Sequence, residues 1–193
     1  CREAVRFLRR SAAKYHLDPA RFAVMGGSAG GNLSALLAMN IPNGAFLGEN
    51  AEQGYAESPE VCAAVDWFGP TDFQRMDAQA KENRISFADH FQPYSAESTY
   101  IGVPLMEADA LFAAKANPIS YISGHMAPLR IEHGACDRLV PFQQSAALGR
   151  AIAEKLGADR ANLVILEGAD HEDPAFESPE NLALVWSFLK KHL

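Results

Sequence analysis

The sequence predicts an α/β domain built on a mostly parallel sheet of about four strands, with helices on both faces. Three observations carry that expectation. Four short apolar runs, at residues 21–25, 61–65, 129–133 and 162–166, have the length and near-continuous hydrophobicity of strands buried on both faces. Longer stretches with helical spacing lie between them, and alternation of this kind closes into parallel strands joined by right-handed crossovers. Turn residues fall beyond the runs rather than within them, so the loops after successive strands gather on one edge of the sheet. A length of 193 residues, 48% of them hydrophobic, suits a single domain with a substantial core.

Each element follows from its own pattern. Ala4, Val5, Leu8, Ala12 and Tyr15 recur at helical spacing, while Arg2, Arg6, Arg9, Arg10 and Lys14 occupy other faces, which predicts an opening amphipathic helix that Leu17-Asp18-Pro19 ends. Arg21 to Met25 reads as the first strand, and the Ala- and Leu-rich stretch Ala29 to Met39 as a helix stopped by Asn40-Ile41-Pro42. Residues 43–60 are polar, turn-rich and without a period, as in a surface loop. Val61 to Val65 is the second strand, after which Asp66-Trp67-Phe68-Gly69-Pro70 brings aromatic side chains to the carboxyl end of the sheet.

From Asp77 to Met106 the pattern dissolves into mixed polar and aromatic residues, including Phe87, His90, Phe91, Tyr94 and Tyr100. A stretch this long without a period inside one domain marks a lid or binding loop, so with the short helix expected over Glu107 to Ala116 it is read as a cap spanning residues 77–116. Leu129 to His133 is the third strand, bounded by Pro128 and Gly134. A helix then starts at Pro141, carries Leu148, Ile152 and Leu156 on one face, and stops at Gly157. Asn162 to Leu166 is the fourth strand, and Pro179 to Leu193 closes the chain as a helix bearing Leu182, Val185, Trp186 and Leu189.

Composition narrows the function classes. A formal charge of -7, with basic residues scattered apart from Arg9-Arg10 and Lys190-Lys191, argues against binding a phosphate backbone. No apolar run approaches the roughly 20 residues of a membrane helix. Cys1, Cys62 and Cys136 cannot make a disulfide framework and match no zinc pattern. Cys62 reads as a small core residue, and Asp137 beside Cys136 disfavours the thiolate that a nucleophile would need. The chain opens at Cys1 rather than an initiator methionine, so its start reads as cut.

The chemistry concentrates around Gly26-Gly27-Ser28-Ala29-Gly30-Gly31-Asn32. A strand that turns at once into a helix needs small residues at the bend, and the frame Gly26-x-Ser28-x-Gly30 is that of a nucleophile elbow, which lifts a serine hydroxyl above a strand end. A phosphate-cradling loop is disfavoured because no Lys-Ser or Lys-Thr pair follows the glycines. A serine nucleophile needs a base, and the base needs a carboxylate. Asp137 follows the third strand and His171 follows the fourth, in the order Ser, Asp, His. Asp66 and Asp72, after the second strand, are rival acids. His16 and His192 fall on terminal helices, His90 and His125 in the cap and its exit, and His133 at a strand end within the core. Asp170 and Asp173 read as turn-holding residues. Gly27, Trp67 and Phe68 are candidate pocket residues, Phe68 being equally readable as core.

These stretches, with Asp66-Trp67-Phe68-Gly69-Pro70-Thr71-Asp72, Ala116-Asn117-Pro118-Ile119-Ser120-Tyr121 and His133-Gly134 through Asp137 to Pro141, resemble the α/β-hydrolase superfamily. Within it they are similar to serine esterases of the lipase and feruloyl or acetyl-xylan esterase-like branch. The resemblance implies the C-terminal part of that fold, with Ser28 as nucleophile, Asp137 as acid, His171 as general base and the Ala29 backbone N–H as an oxyanion-hole donor. It implies hydrolysis of short acyl or aryl esters, including acetyl or feruloyl esters of carbohydrates, through an acyl-enzyme and with neither metal nor cofactor. A serine peptidase of the prolyl-oligopeptidase type and a non-catalytic module of the same fold are the alternatives.

The family's HGGG-type oxyanion loop precedes the helix with which this sequence begins, and no such motif occurs here. The expectation is therefore either a fragment of a longer esterase or a chain whose strand at 21–25 pairs with another chain, such as a second copy of itself. Activity is expected to be weak unless a partner rebuilds the hole.

Overall fold

The computed structural model describes residues 1–42 and 56–193. Most of the predicted surface loop, residues 43–55, lies outside the described residues. Four parallel strands form one sheet in sequential order: β1 (Ala23–Gly27), β2 (Ala63–Trp67), β3 (Leu129–Gly134) and β4 (Ala161–Leu166). β1 and β2 sit two residues later than their apolar runs predict. Pairing continues to the carboxyl end, with Gly26 opposite Asp66 and Gly27 opposite Trp67, so the residues that close each strand are those that begin the functional loops.

Side chains alternate across the sheet and separate two cores. On one face Ala64, Leu129 and Ile131 pack with Ala35, Ala38 and Met39 of α3 (Ala29–Ala38) and its end, and with Leu148 and Ile152 of α7 (Gln143–Leu156). On the other, Val65 and Trp67 meet Phe176 and Val185, the latter on α8 (Pro179–His192). Helices therefore cover both faces. The outer strands are less enclosed than a continuous apolar run implies: Met25 of β1 and Leu163 of β4 are exposed, because each lies where a further strand or helix would be needed to cover it.

The opening segment is two helices rather than one, α1 (Arg2–Arg10) and α2 (Ala12–Tyr15), broken at Ser11. Of the predicted apolar face only Val5 and Ala12 are buried, Val5 against Leu37, Val61 and Ala127. Leu8 and Tyr15 are exposed while Arg6 is buried, because the helix touches the body along a narrower and rotated strip than its hydrophobic spacing suggests. Cys62 is only half-buried, its thiol donating to the Ala20 carbonyl, since it lies just before β2 rather than inside it.

The stretch from Asp77 to Met106 contains two short helices, α4 (Met76–Asn83) and α5 (Ala96–Ile101). Neither carries a clean apolar stripe; Phe73, Met76, Leu105, Ala113, Ala116 and Val140 make a small separate core beneath them. The expected helix over Glu107 to Ala116 is confined to α6 (Ala110–Ala113) and a 3-10 turn, with Asp109 as its cap.

Candidate active site

Only Ser28 separates β1 from α3. It takes φ 56° and ψ -121°, a left-handed conformation that a side-chain-bearing residue adopts only when its surroundings enforce it. They do so here through the Ser28 N–H, which donates to the Trp67 carbonyl at 2.9 Å, and through the Ser28 carbonyl, which accepts from the Asn32 N–H at 3.1 Å. The glycines make the bend feasible. A Cβ at Gly26 would overlap the Gly30 carbonyl, and one at Gly31 would overlap the carboxylate of Asp66.

The Ser28 side chain caps none of the amides of α3, which leaves its hydroxyl for His171. His171 Nε2 lies 2.9 Å from Ser28 Oγ, and its Nδ1 lies 2.7 Å from Asp137 Oδ2. With Nδ1–H donating to the carboxylate, Nε2 is the acceptor that faces the hydroxyl. Three predicted residues, 143 positions apart at the extremes, thus meet in one hydrogen-bonded line. The imidazole is held in place on other sides too: the His171 N–H donates to Asp170 Oδ1 at 2.7 Å, and the Phe68 ring stands edge-on to it with centroids 4.6 Å apart.

Asp137 is 1% exposed, yet the loop around it stabilises its charge. Its Oδ1 accepts the backbone N–H groups of Leu139 and Val140, both at 2.8 Å. Burial pushes its pKa up, but His133 and His171 beside it outweigh that and hold it down at about 2. His133 was legible only as a core histidine. It is fully buried, and its Nε2 also stands 3.1 Å from Asp137 Oδ2; the signal available in the sequence was its place four residues before the acid.

The rival acids are engaged elsewhere. Asp66 is fully buried, with Oδ1 accepting from the Gly69 N–H at 2.9 Å, and burial raises its pKa to about 7 against the smaller opposing effect of that bond. Asp72 Oδ1 accepts from Asn117 Nδ2. Asp170 and Asp173 do hold turns: Asp170 accepts from the Arg138 and His171 N–H groups and pairs with the Arg138 guanidinium, and Asp173 accepts from the Ala175 N–H. His90 bonds Asp77 Oδ1 at 2.7 Å and the Leu139 carbonyl at 2.9 Å. Beside it, Ser86 Oγ donates to the Asp137 carbonyl and the Phe87 N–H to that of Arg138, so the 77–116 segment grips the backbone of the acid loop.

A cavity of about 510 Å³ opens beside the triad, lined by Gly27, Trp67, Phe68, Glu172, Asp173, Pro174, Phe176 and Glu177. All three predicted pocket residues are on its wall. Phe68 lines the cavity and is also buried against Phe176. Ala29 opens α3, so its N–H is among those that helix geometry leaves without an intrahelical acceptor, next to Ser28.

Esterase LipQ of Mycobacterium tuberculosis is 30% identical over 171 residues, which cover 88% of this chain and 37% of LipQ. A solved structure titled as a truncated form of a carbohydrate esterase from gut microbiota superposes with a TM-score of 0.79 at 27% identity, covering 99% of this chain and 66% of that one. A bifunctional GH43-CE protein of Bacteroides eggerthii gives 0.77 at 29% identity, over 99% of this chain and 24% of that one. The chain thus spans little more than a third of LipQ and just under two thirds of the gut esterase. A family model described as BD-FAE matches residues 1–152, which include the elbow and the acid loop. Matched over 152 of its 193 residues and folded as these esterases are, the chain belongs to the BD-FAE family.

Proposed function

We propose that the protein is a serine carboxylic-ester hydrolase that works through an acyl-enzyme on short acyl or aryl esters, including acetyl or feruloyl esters of carbohydrates. The observation that carries this reading is the unbroken line from Ser28 Oγ through the His171 imidazole to Asp137 Oδ2. His171 Nε2 takes the hydroxyl proton as Oγ attacks the ester carbonyl, and Asp137 stabilises the imidazolium that results. The Ala29 N–H donates to the oxyanion as negative charge develops on it. His171 returns its proton to the departing alkoxide, and a water activated at the same nitrogen then releases the acid and frees Ser28. The cavity beside Gly27, Trp67 and Phe68 receives the substrate, its aromatic wall suiting an apolar or ring-bearing group. The 77–116 segment serves as the cap, and it bears on the site through the acid loop.

Labelling by a fluorophosphonate and hydrolysis of p-nitrophenyl acetate test the reading. Both are expected in the parent chain, with Ser28→Ala abolishing the adduct and lowering turnover by about 10⁴-fold or more. An adduct that persists in that variant, or none in the parent, overturns it. Cleavage of a prolyl amide in preference to the ester points instead to a peptidase. We also infer that the outer edge of β1 pairs with a second copy of the chain, supported by its place at the end of the sheet among the described residues and by the exposure of Met25.

A further inference from the structure

We propose that His133 is a positioning residue that polarises the carboxylate of Asp137 and so sets how tightly that carboxylate holds the imidazole of His171. The proposal rests on the triad reading above and assigns to the buried histidine a part in tuning the base. His133 lies near the end of β3, with its side chain on the face toward α7. Its neighbour Glu132 points to the opposite face, where it pairs with Arg130 and accepts from Asn181 Nδ2. His133 Nδ1 lies 2.7 Å from Ser145 Oγ in the first turn of α7, while Nε2 faces two acceptors, the Val140 carbonyl at 3.0 Å and Asp137 Oδ2 at 3.1 Å. Two acceptors at one nitrogen require Nε2 to carry hydrogen, which leaves Nδ1 to accept from the serine hydroxyl.

The carboxylate oxygen that meets this N–H is the one that accepts from His171 Nδ1. One oxygen thus accepts from His171 and stands 3.1 Å from the His133 Nε2 dipole, and each imidazole draws on charge that would otherwise serve the other. The site is fully buried around His133, so the dipole acts with little solvent screening. Removing it concentrates the charge of Asp137 on His171. The imidazolium is then favoured, and His171 is unavailable as a base until higher pH. Other titratable groups near the acid loop, among the described residues, include Arg138, paired with Asp170, Glu172 beside His171, and His90, which bonds Asp77 and the Leu139 carbonyl. Both pairs stay intact when His133 alone is changed.

The test is the pH dependence of the rate at which a fluorophosphonate labels Ser28, in the parent and in two variants. His133→Met keeps side-chain length and removes the donor; His133→Gln places an amide N–H within reach of the same oxygen. In His133→Met the acid limb of the profile is expected to move upward by about half a pH unit or more, and in His133→Gln to return toward the parent. A His133→Met profile that superposes on the parent overturns the proposal. If His133→Met does not fold, His133→Leu decides by the same criterion, since it too removes the donor while filling the buried space. If the parent is not labelled at all, the triad reading fails, and the His133 proposal is judged separately from NMR titration of the His171 ring in these variants, where an upward move supports it and none overturns it.

Discussion

Asp137 and Asp66 are both carboxylates with almost no exposure, and their surroundings drive them in opposite directions. Asp137 has two backbone N–H groups and two imidazoles around it, and stays ionised down to about pH 2; Asp66 has one N–H, from Gly69, and an Oδ2 that finds no hydrogen-bond partner among the described residues, and burial lifts it to about 7. A depressed pKa gives stability above the ordinary value of 3.8 that is lost as pH falls through 2, about 2 kcal/mol for Asp137. A raised pKa does the reverse. Folded Asp66 keeps its proton while an unfolded one has released it, so stability falls as pH rises from 3.8 to 7, by on the order of 4 kcal/mol. Thermal unfolding followed against pH is expected to show greatest stability in mild acid. Asp66→Asn is expected to flatten the decline toward neutrality and to raise the melting temperature at pH 8.

At the scale of the element, the elbow depends on backbone approaching backbone. α3 lies so close to β2 that Gly31 has no room for a methyl group between the Asp66 carboxylate and the Trp67 carbonyl, 2.7 Å from where that Cβ would sit. Gly31→Ala is therefore expected to destabilise the fold by about 2–3 kcal/mol and to displace Ser28, measured as a lower melting temperature together with slower Ser28 labelling. Buried polar side chains tie the neighbouring loops to this helix. Asn32 Nδ2 donates to the carbonyls of Pro70 at 2.8 Å and Ala116 at 3.0 Å, and Tyr100 Oη donates to Asn32 Oδ1 at 3.1 Å. Gln144 of α7 accepts from the Thr71 and Asp72 N–H groups, and Asn117 from that of Phe73. The stretches that carried the family resemblance are thus, in large part, one polar network around the elbow.

Over the whole molecule, the loops after the four strands converge on one rim because every strand is parallel, and the Ser28–His171–Asp137 line is assembled from three of those loops: the ones after β1 with Ser28, after β3 with Asp137 and after β4 with His171. Among the described residues β1 ends the sheet on one side, presenting unpaired backbone groups and the exposed Met25. A particle of twice the chain mass or more, measured by light scattering on a sizing column, is the expected outcome. A monomer that persists at high concentration, or a dimer unaffected by Met25→Lys, counts against pairing there.

The sequence by itself determined the strands, the helices on both faces, Ser28 in its glycine frame, and the loops bearing Asp137 and His171. These are local properties, set by hydrophobic period and by turn chemistry within a few residues. It did not reveal that Arg6 is buried and Leu8 exposed, that the 77–106 stretch holds two helices, or that His133 stands against the acid. Those depend on which surfaces meet. A helix with a weak stripe is stabilised by what packs on it, and a buried histidine looks alike in any core until its neighbours are placed. Only the tertiary structure brought two imidazoles to one carboxylate oxygen, because His171 arrives from the loop after β4 while His133 and Asp137 belong to β3 and the loop after it.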